Sequence, residues 1–182
     1  MTLNSLIIRY GLYAAAVIIG FGILSFLFMG EINMENMKMG EITGYASIIL
    51  SLGIFLFLGL RKFRDELNGG NLSFLQALKV GVMIVLIPSI GFGAYNHVYA
   101  EWLDPDFTEK YYQHHIDQLE DQLSPAEFQA EKAKLESQKD MFMNPFLSFV
   151  LMFLTVFLIG VVLTILIAFI LKKETVEVSS LA

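Results

Sequence analysis

Two groups of side chains have the types and spacing to do chemistry. Arg61, Lys62, Arg64 and Lys79 place four cations in one short stretch. Cations fixed beside a membrane could hold a lipid headgroup or a phosphorylated ligand. Lys79 lies about two turns into an apolar segment, where a lone charge costs roughly 2.5–3.5 kcal/mol at a helix centre. It is near enough to the segment's end to reach the interface, which lowers that cost. The plainer reading of the four is orientation and anchorage. The second group is His114, Asp117 and Asp121, whose spacings of three and four share one helix face within reach of a metal. His115 points about 100 degrees away, and His97 could join only if the chain folds back. Solvent-facing acidic helices carry such spacings without any metal. Met34, Met37 and Met39 have thioethers suited to Cu(I). With no His or Cys beside them they read as interfacial methionines.

The absence of cysteine excludes thiol catalysis, thiolate metal sites and disulfides. No phosphate loop, nucleophile elbow or zinc-protease motif occurs. No cofactor is expected.

The elements that must position these residues are apolar. Of 182 residues, 55% are hydrophobic and only 16% charged, against about a quarter charged in soluble domains. Four runs, about 6–29, 42–60, 73–99 and 145–171, are each long enough to cross a bilayer core of about 30 Å. The first outlasts a signal-peptide core and lacks a small-x-small cleavage site before Glu31, so it reads as a retained span. Asn68-Gly69-Gly70 should end the second helix, and Ser73 with Gln76 is a capping box that opens the third. Pro88 should kink the third. Small residues recur four apart at Ala16 and Gly20, along Gly44, Ser47 and Ser51, and along Gly160, Thr164 and Ala168, which suits close helix contacts. Tyr95, Tyr99 and Trp102 read as an interfacial aromatic belt.

Residues 101–144 form the one sizeable polar region. Asp104-Pro105, Ser124-Pro125 and Asn144-Pro145 each pair a capping residue with proline, so two helices are expected at about 105–123 and 125–143. Tyr112, Ile116, Leu119 and Leu123 make an apolar stripe on the first, and Phe128, Leu135 and Phe142 a narrower seam on the second. The expected fold is all-α: an integral membrane four-helix bundle with an extracytoplasmic amphipathic helical hairpin between spans three and four.

Arg9, the cations from Arg61 to Lys79, and Lys172 with Lys173 all fall on one side of a four-span arrangement. The positive-inside rule makes that side cytoplasmic, with both termini. Residues 101–144 carry eleven acids against four bases on the other side. Such acid-rich helices do not suit nucleic acid or anionic lipid.

The text Arg61-Lys62-Phe63-Arg64-Asp65-Glu66, then Asn68-Gly69-Gly70 and Ser73-Phe74-x-Gln76-Ala77-Leu78-Lys79-x-Gly81, resembles the family called domain of unknown function 4199. The resemblance covers most of the chain. It implies four spans in a bacterial inner membrane, with the acidic hairpin periplasmic, and it brings no catalytic residue. The expected role is a non-enzymatic accessory or scaffold subunit. Its partners would be the bilayer and a protein, or a second copy held through the small-residue helix faces. A small oligomeric transporter or channel is the alternative, and a lipid-phosphate enzyme using Arg61, Arg64 and Lys79 a further one.

Overall fold

A computed structural model describes residues 1–29, 37–120 and 122–173. Six α-helices follow in order: α1 (Leu3–Met29), α2 (Met37–Lys62), α3 (Phe74–Val98), α4 (Phe107–Glu120), α5 (Pro125–Met143) and α6 (Pro145–Leu171). One π-helical turn extends α2 over Phe63–Leu67, and another extends α3 over Tyr99–Leu103. With those extensions, Leu3–Phe28, Met37–Leu67, Phe74–Leu103 and Pro145–Leu171 are long and apolar enough to cross a membrane. The chain is an all-α membrane bundle of four such helices, with no strand among the described residues.

Local chemistry sets most boundaries. Gly69 and Gly70 take φ values of 59° and 81°, the left-handed conformation that glycine adopts without a Cβ clash. Ser73 Oγ accepts from the Gln76 amide (3.3 Å) while Gln76 Oε1 accepts from the Ser73 amide (2.9 Å), closing the expected capping box. Asn144 Oδ1 accepts from the amides of Phe146 and Leu147, both at 3.1 Å, and so caps α6.

Four boundaries differ from expectation. The first two helices begin at Leu3 and Met37 rather than near 6 and 42, so each starts ahead of its apolar run. The helix expected from Pro105 begins at Phe107 and closes at Glu120. The π-helical turn carries α3 up to Leu103 and turns Asp104 into the interior, 1% exposed, with Lys110 Nζ 3.5 Å away.

The bundle is built on α3 and α6, its most extensive helix pair. A Cβ added at Gly81 would strike Thr164, one at Gly160 would strike Val85, and one at Gly93 would stand 3.0 Å from the Phe149 carbonyl. The Gly160, Thr164 and Ala168 face is therefore spent inside the chain. α3 runs through Pro88 without a break in its helical assignment. Proline removes the amide that Ile84's carbonyl would have met, and that carbonyl faces Gly11 of α1 instead, 3.0 Å from where a Cβ would sit. Ser51 Oγ donates to Ala14's carbonyl (3.1 Å), tying α2 to α1. Leu6, Leu52, Leu56, Leu60, Ile84 and Val156 fill the middle with no exposed surface. Leu27, Phe28, Phe146 and Ile170 point outward, as side chains facing lipid do.

Candidate functional site

The basic hairpin, the first sequence candidate, is a structural clasp. Leu72 and Lys173 pair as a short antiparallel bridge, with amide–carbonyl distances of 2.7 and 2.9 Å. Arg64 Nη1 donates to the carbonyl of Leu171 at the end of α6 (3.3 Å), satisfying a group that no helical amide can reach. The other basic groups turn to their own carboxylates. Arg61 reaches Asp65 (3.6 Å), Lys62 reaches Glu66 (3.0 Å), and Arg64 grips Asp65 through two nitrogens at 2.7 and 3.3 Å. Lys79 stands exposed on α3. Three of the four candidate anion ligands thus already hold anions.

Of the metal candidate, His114 and Asp117 lie among the described residues. His114 Nε2 lies 3.0 Å from the Gln118 amide nitrogen, and Asp117 accepts from Gln113 Nε2 (2.7 Å). Asp121 lies outside the described residues, within which no cluster of three metal-ligating side chains occurs. His97 is exposed. Of the three methionines, Met37 is buried, Met39 faces out and Met34 lies outside the described residues.

The opposite end of the bundle holds what sequence reading missed, a cavity of about 340 Å3 between α1, α2, α3 and α6. Phe107 of α4 and Phe142 of α5 close part of its wall. Along α6 it reaches Met152 and Thr155, which at 1.5 Å per residue is about 10–15 Å from the helix start. Gly44, which with Ser47 and Ser51 was expected to make a close helix contact, meets nothing within 4 Å of its Cβ position, while Ser51 bonds to α1. Tyr95 packs against Gly22 of α1, its hydroxyl 2.8 Å from the Cβ position there, and lines the cavity. The expected belt therefore divides: Trp102 is 84% exposed, while Tyr95 and Tyr99 turn inward to the cavity.

An aromatic wall runs along this end. Phe92, Tyr95, Tyr99 and Phe107 follow one another with ring centroids 6.2, 6.1 and 5.5 Å apart, and Phe26 meets Tyr99 edge to face at 5.9 Å. Phe107 passes the chain of rings to Tyr111 at 5.8 Å. Tyr111 donates its hydroxyl to Glu41 Oε1 (2.8 Å), and His115 Nε2 approaches the same oxygen at 3.7 Å. Burial, and then the bond to Glu41, push the Tyr111 phenol well above its usual range, so it stays a neutral donor. Glu41 thereby latches α4 to α2 across the cavity mouth. Asn96 Nδ2 donates to Ser148 Oγ (2.8 Å), joining α3 to α6 at the same level.

α4 and α5 pack together over this end. Glu109 pairs with Lys139 (3.0 Å), and the rings of Tyr112 and Phe142 lie 6.1 Å apart, so the start of α4 meets the end of α5. Tyr112 and Ile116 of α4 are buried, while α5 has no fully buried residue.

A family model described as "Protein of unknown function (DUF4199)" matches residues 9–173. No curated protein and no solved structure matches the chain.

Proposed function

The chain belongs to the DUF4199 family, and on that premise we propose a non-enzymatic accessory protein of the membrane that works by binding at its cavity end. The observation that carries the reading is the division of the bundle. One end is tied by the Arg64–Leu171 and Leu72–Lys173 bonds, and the other keeps a cavity of about 340 Å3 latched by Glu41 and Tyr111. In this reading the clasp and termini face the cytoplasm of a bacterial inner membrane, and the acidic helices face the periplasm.

A transport pathway within one copy has little to build on. The core hydroxyls of Ser51, Ser89 and Thr164 already donate to helix carbonyls at 2.7–3.1 Å. A lipid-phosphate enzyme would need the cations that Asp65 and Glu66 occupy.

The test fills the cavity. Gly44→Phe places a side chain in open space, so the variant should fold like the wild type. Native mass spectrometry in mild detergent should find a stoichiometric companion, protein or small molecule, on the wild type and none on the variant. A bare wild-type monomer, or a companion retained by Gly44→Phe, overturns the proposal.

A further inference from the structure

We propose that the cavity takes a lipophilic cation, an ammonium or quaternary ammonium group on an apolar stem, seated against the aromatic wall beside Glu41. The inference rests on the reading above that the cavity is the binding site, and it names the chemistry of what binds there.

The lining argues for an apolar body. Eight of its nineteen described residues are Phe or Tyr, against 13% aromatic residues in the whole chain. Ring faces attract cations through their quadrupole, more strongly once water is excluded, and cages of such rings recognise quaternary ammonium groups. The lining also argues for the sign of the charge. Glu41 is its one ionisable acid, and no Lys, Arg or His stands among the described lining residues. An anionic headgroup would meet a carboxylate with no cation among the described lining residues; a cation would complete a pair in a partly dry site.

Glu41 is held for such a role. Tyr111 and His115 both approach the same oxygen, Oε1. The surrounding charge points the same way, since residues 101–144 carry eleven acids against four bases. A field of that sign concentrates cations at the mouth.

Size narrows the class. At about 340 Å3 the cavity sits at the low end of the roughly 300–1,000 Å3 typical of small-molecule sites. It fits a headgroup with the first part of one chain.

The probe is decyltrimethylammonium, titrated calorimetrically into the full chain in maltoside micelles, with the titration into empty micelles subtracted. Saturable binding at one site per chain is expected, with decyl sulfate at least tenfold weaker. Glu41→Gln should weaken the cation at least tenfold. Because Glu41 also latches α4, Tyr111→Phe is the companion variant: it removes the latch and keeps the carboxylate, so the cation should bind as well or better. Equal binding of decyl sulfate overturns the proposal, as does an equal loss in Tyr111→Phe and Glu41→Gln. Cation binding that survives Gly44→Phe would place the probe elsewhere and overturn it too. If the companion of the preceding test is lost in Gly44→Phe while the cation never binds, the cavity reading stands and the cation falls. Competition by lysophosphatidylethanolamine supports the proposal with a membrane lipid as source. Saturable binding without that competition supports it with a non-phospholipid amine.

Discussion

The two ends of this bundle solve the problem of joining helices in opposite ways. At the clasp, backbone and charge converge: Leu72 pairs with Lys173 and Arg64 reaches across to α6. At the cavity end, rings line an open space, and the ties are side-chain bonds such as Tyr111 to Glu41 and Asn96 to Ser148. The α3–α6 contact and the cavity both contain small residues. What differs is what faces them. Gly160 faces Val85 and is filled; Gly44 faces nothing and leaves a space. A small-residue stripe permits a contact without specifying one.

The largest expected effect separates those two glycines. Gly160→Leu must displace Val85 or part α3 from α6, and overpacking of this kind costs roughly 1–3 kcal/mol or more. Gly44→Leu enters open space and gains up to about 0.8–1.0 kcal/mol of helix propensity over glycine. In reversible unfolding by denaturing detergent, the first variant should be markedly destabilised and the second unchanged or slightly stabilised. Similar losses in both would mean that the cavity is as tightly packed as the α3–α6 contact, and the contrast would fail.

A smaller effect tests whether the ends are independent. Arg64→Met removes the donor to Leu171 and the grip on Asp65. The pairing with exposed Asp65 is screened by water and contributes little, so the loss falls mainly on the bond to the Leu171 carbonyl. Hydrogen exchange should quicken at the amides of Leu72 and Lys173, with α4 unchanged. Quickened exchange in α4 would show that the clasp stabilises the cavity end as well.

The legible parts of this fold were those written locally. Ser73 with Gln76, Gly69 with Gly70, and Pro125 after Ser124 each mark a boundary within a few residues of chain, and the helices begin or end there. The Asp104-Pro105 pair misleads because a π-helical turn has no composition of its own. Once Tyr99–Leu103 widens, Asp104 is drawn inward and the next helix begins two residues beyond the proline. The cavity was illegible for another reason. It is assembled from four helices, and its polar latch joins Glu41 to Tyr111 across 70 residues. The ion pairs of the hairpin were legible by the same local logic, since Asp65 and Glu66 stand four residues after Arg61 and Lys62, the spacing at which helical ion pairs form.

The smallest effect compares the same device at the two ends. α3 and α5 both open with a capping box, but α3 closes its box with the neutral Gln76 and α5 with the ionisable Glu127. Glu127 accepts from the Ser124 hydroxyl (2.6 Å) and the Ser124 amide (3.3 Å), and these bonds hold its carboxyl below the usual range. A depressed folded value means the cap's contribution is present above the unfolded glutamate's pKa, about 4.3. It fades as pH falls from there through the lower folded value. With intrinsic rates corrected, acidification across that window should quicken exchange in the first turn of α5 and leave the first turn of α3 unmoved. Glu127→Gln gives α5 the chemistry of α3, so the pH dependence should vanish while the cap persists. If α3 responds equally, the change is a general loosening of the bundle in acid, and the difference between the two boxes counts for nothing.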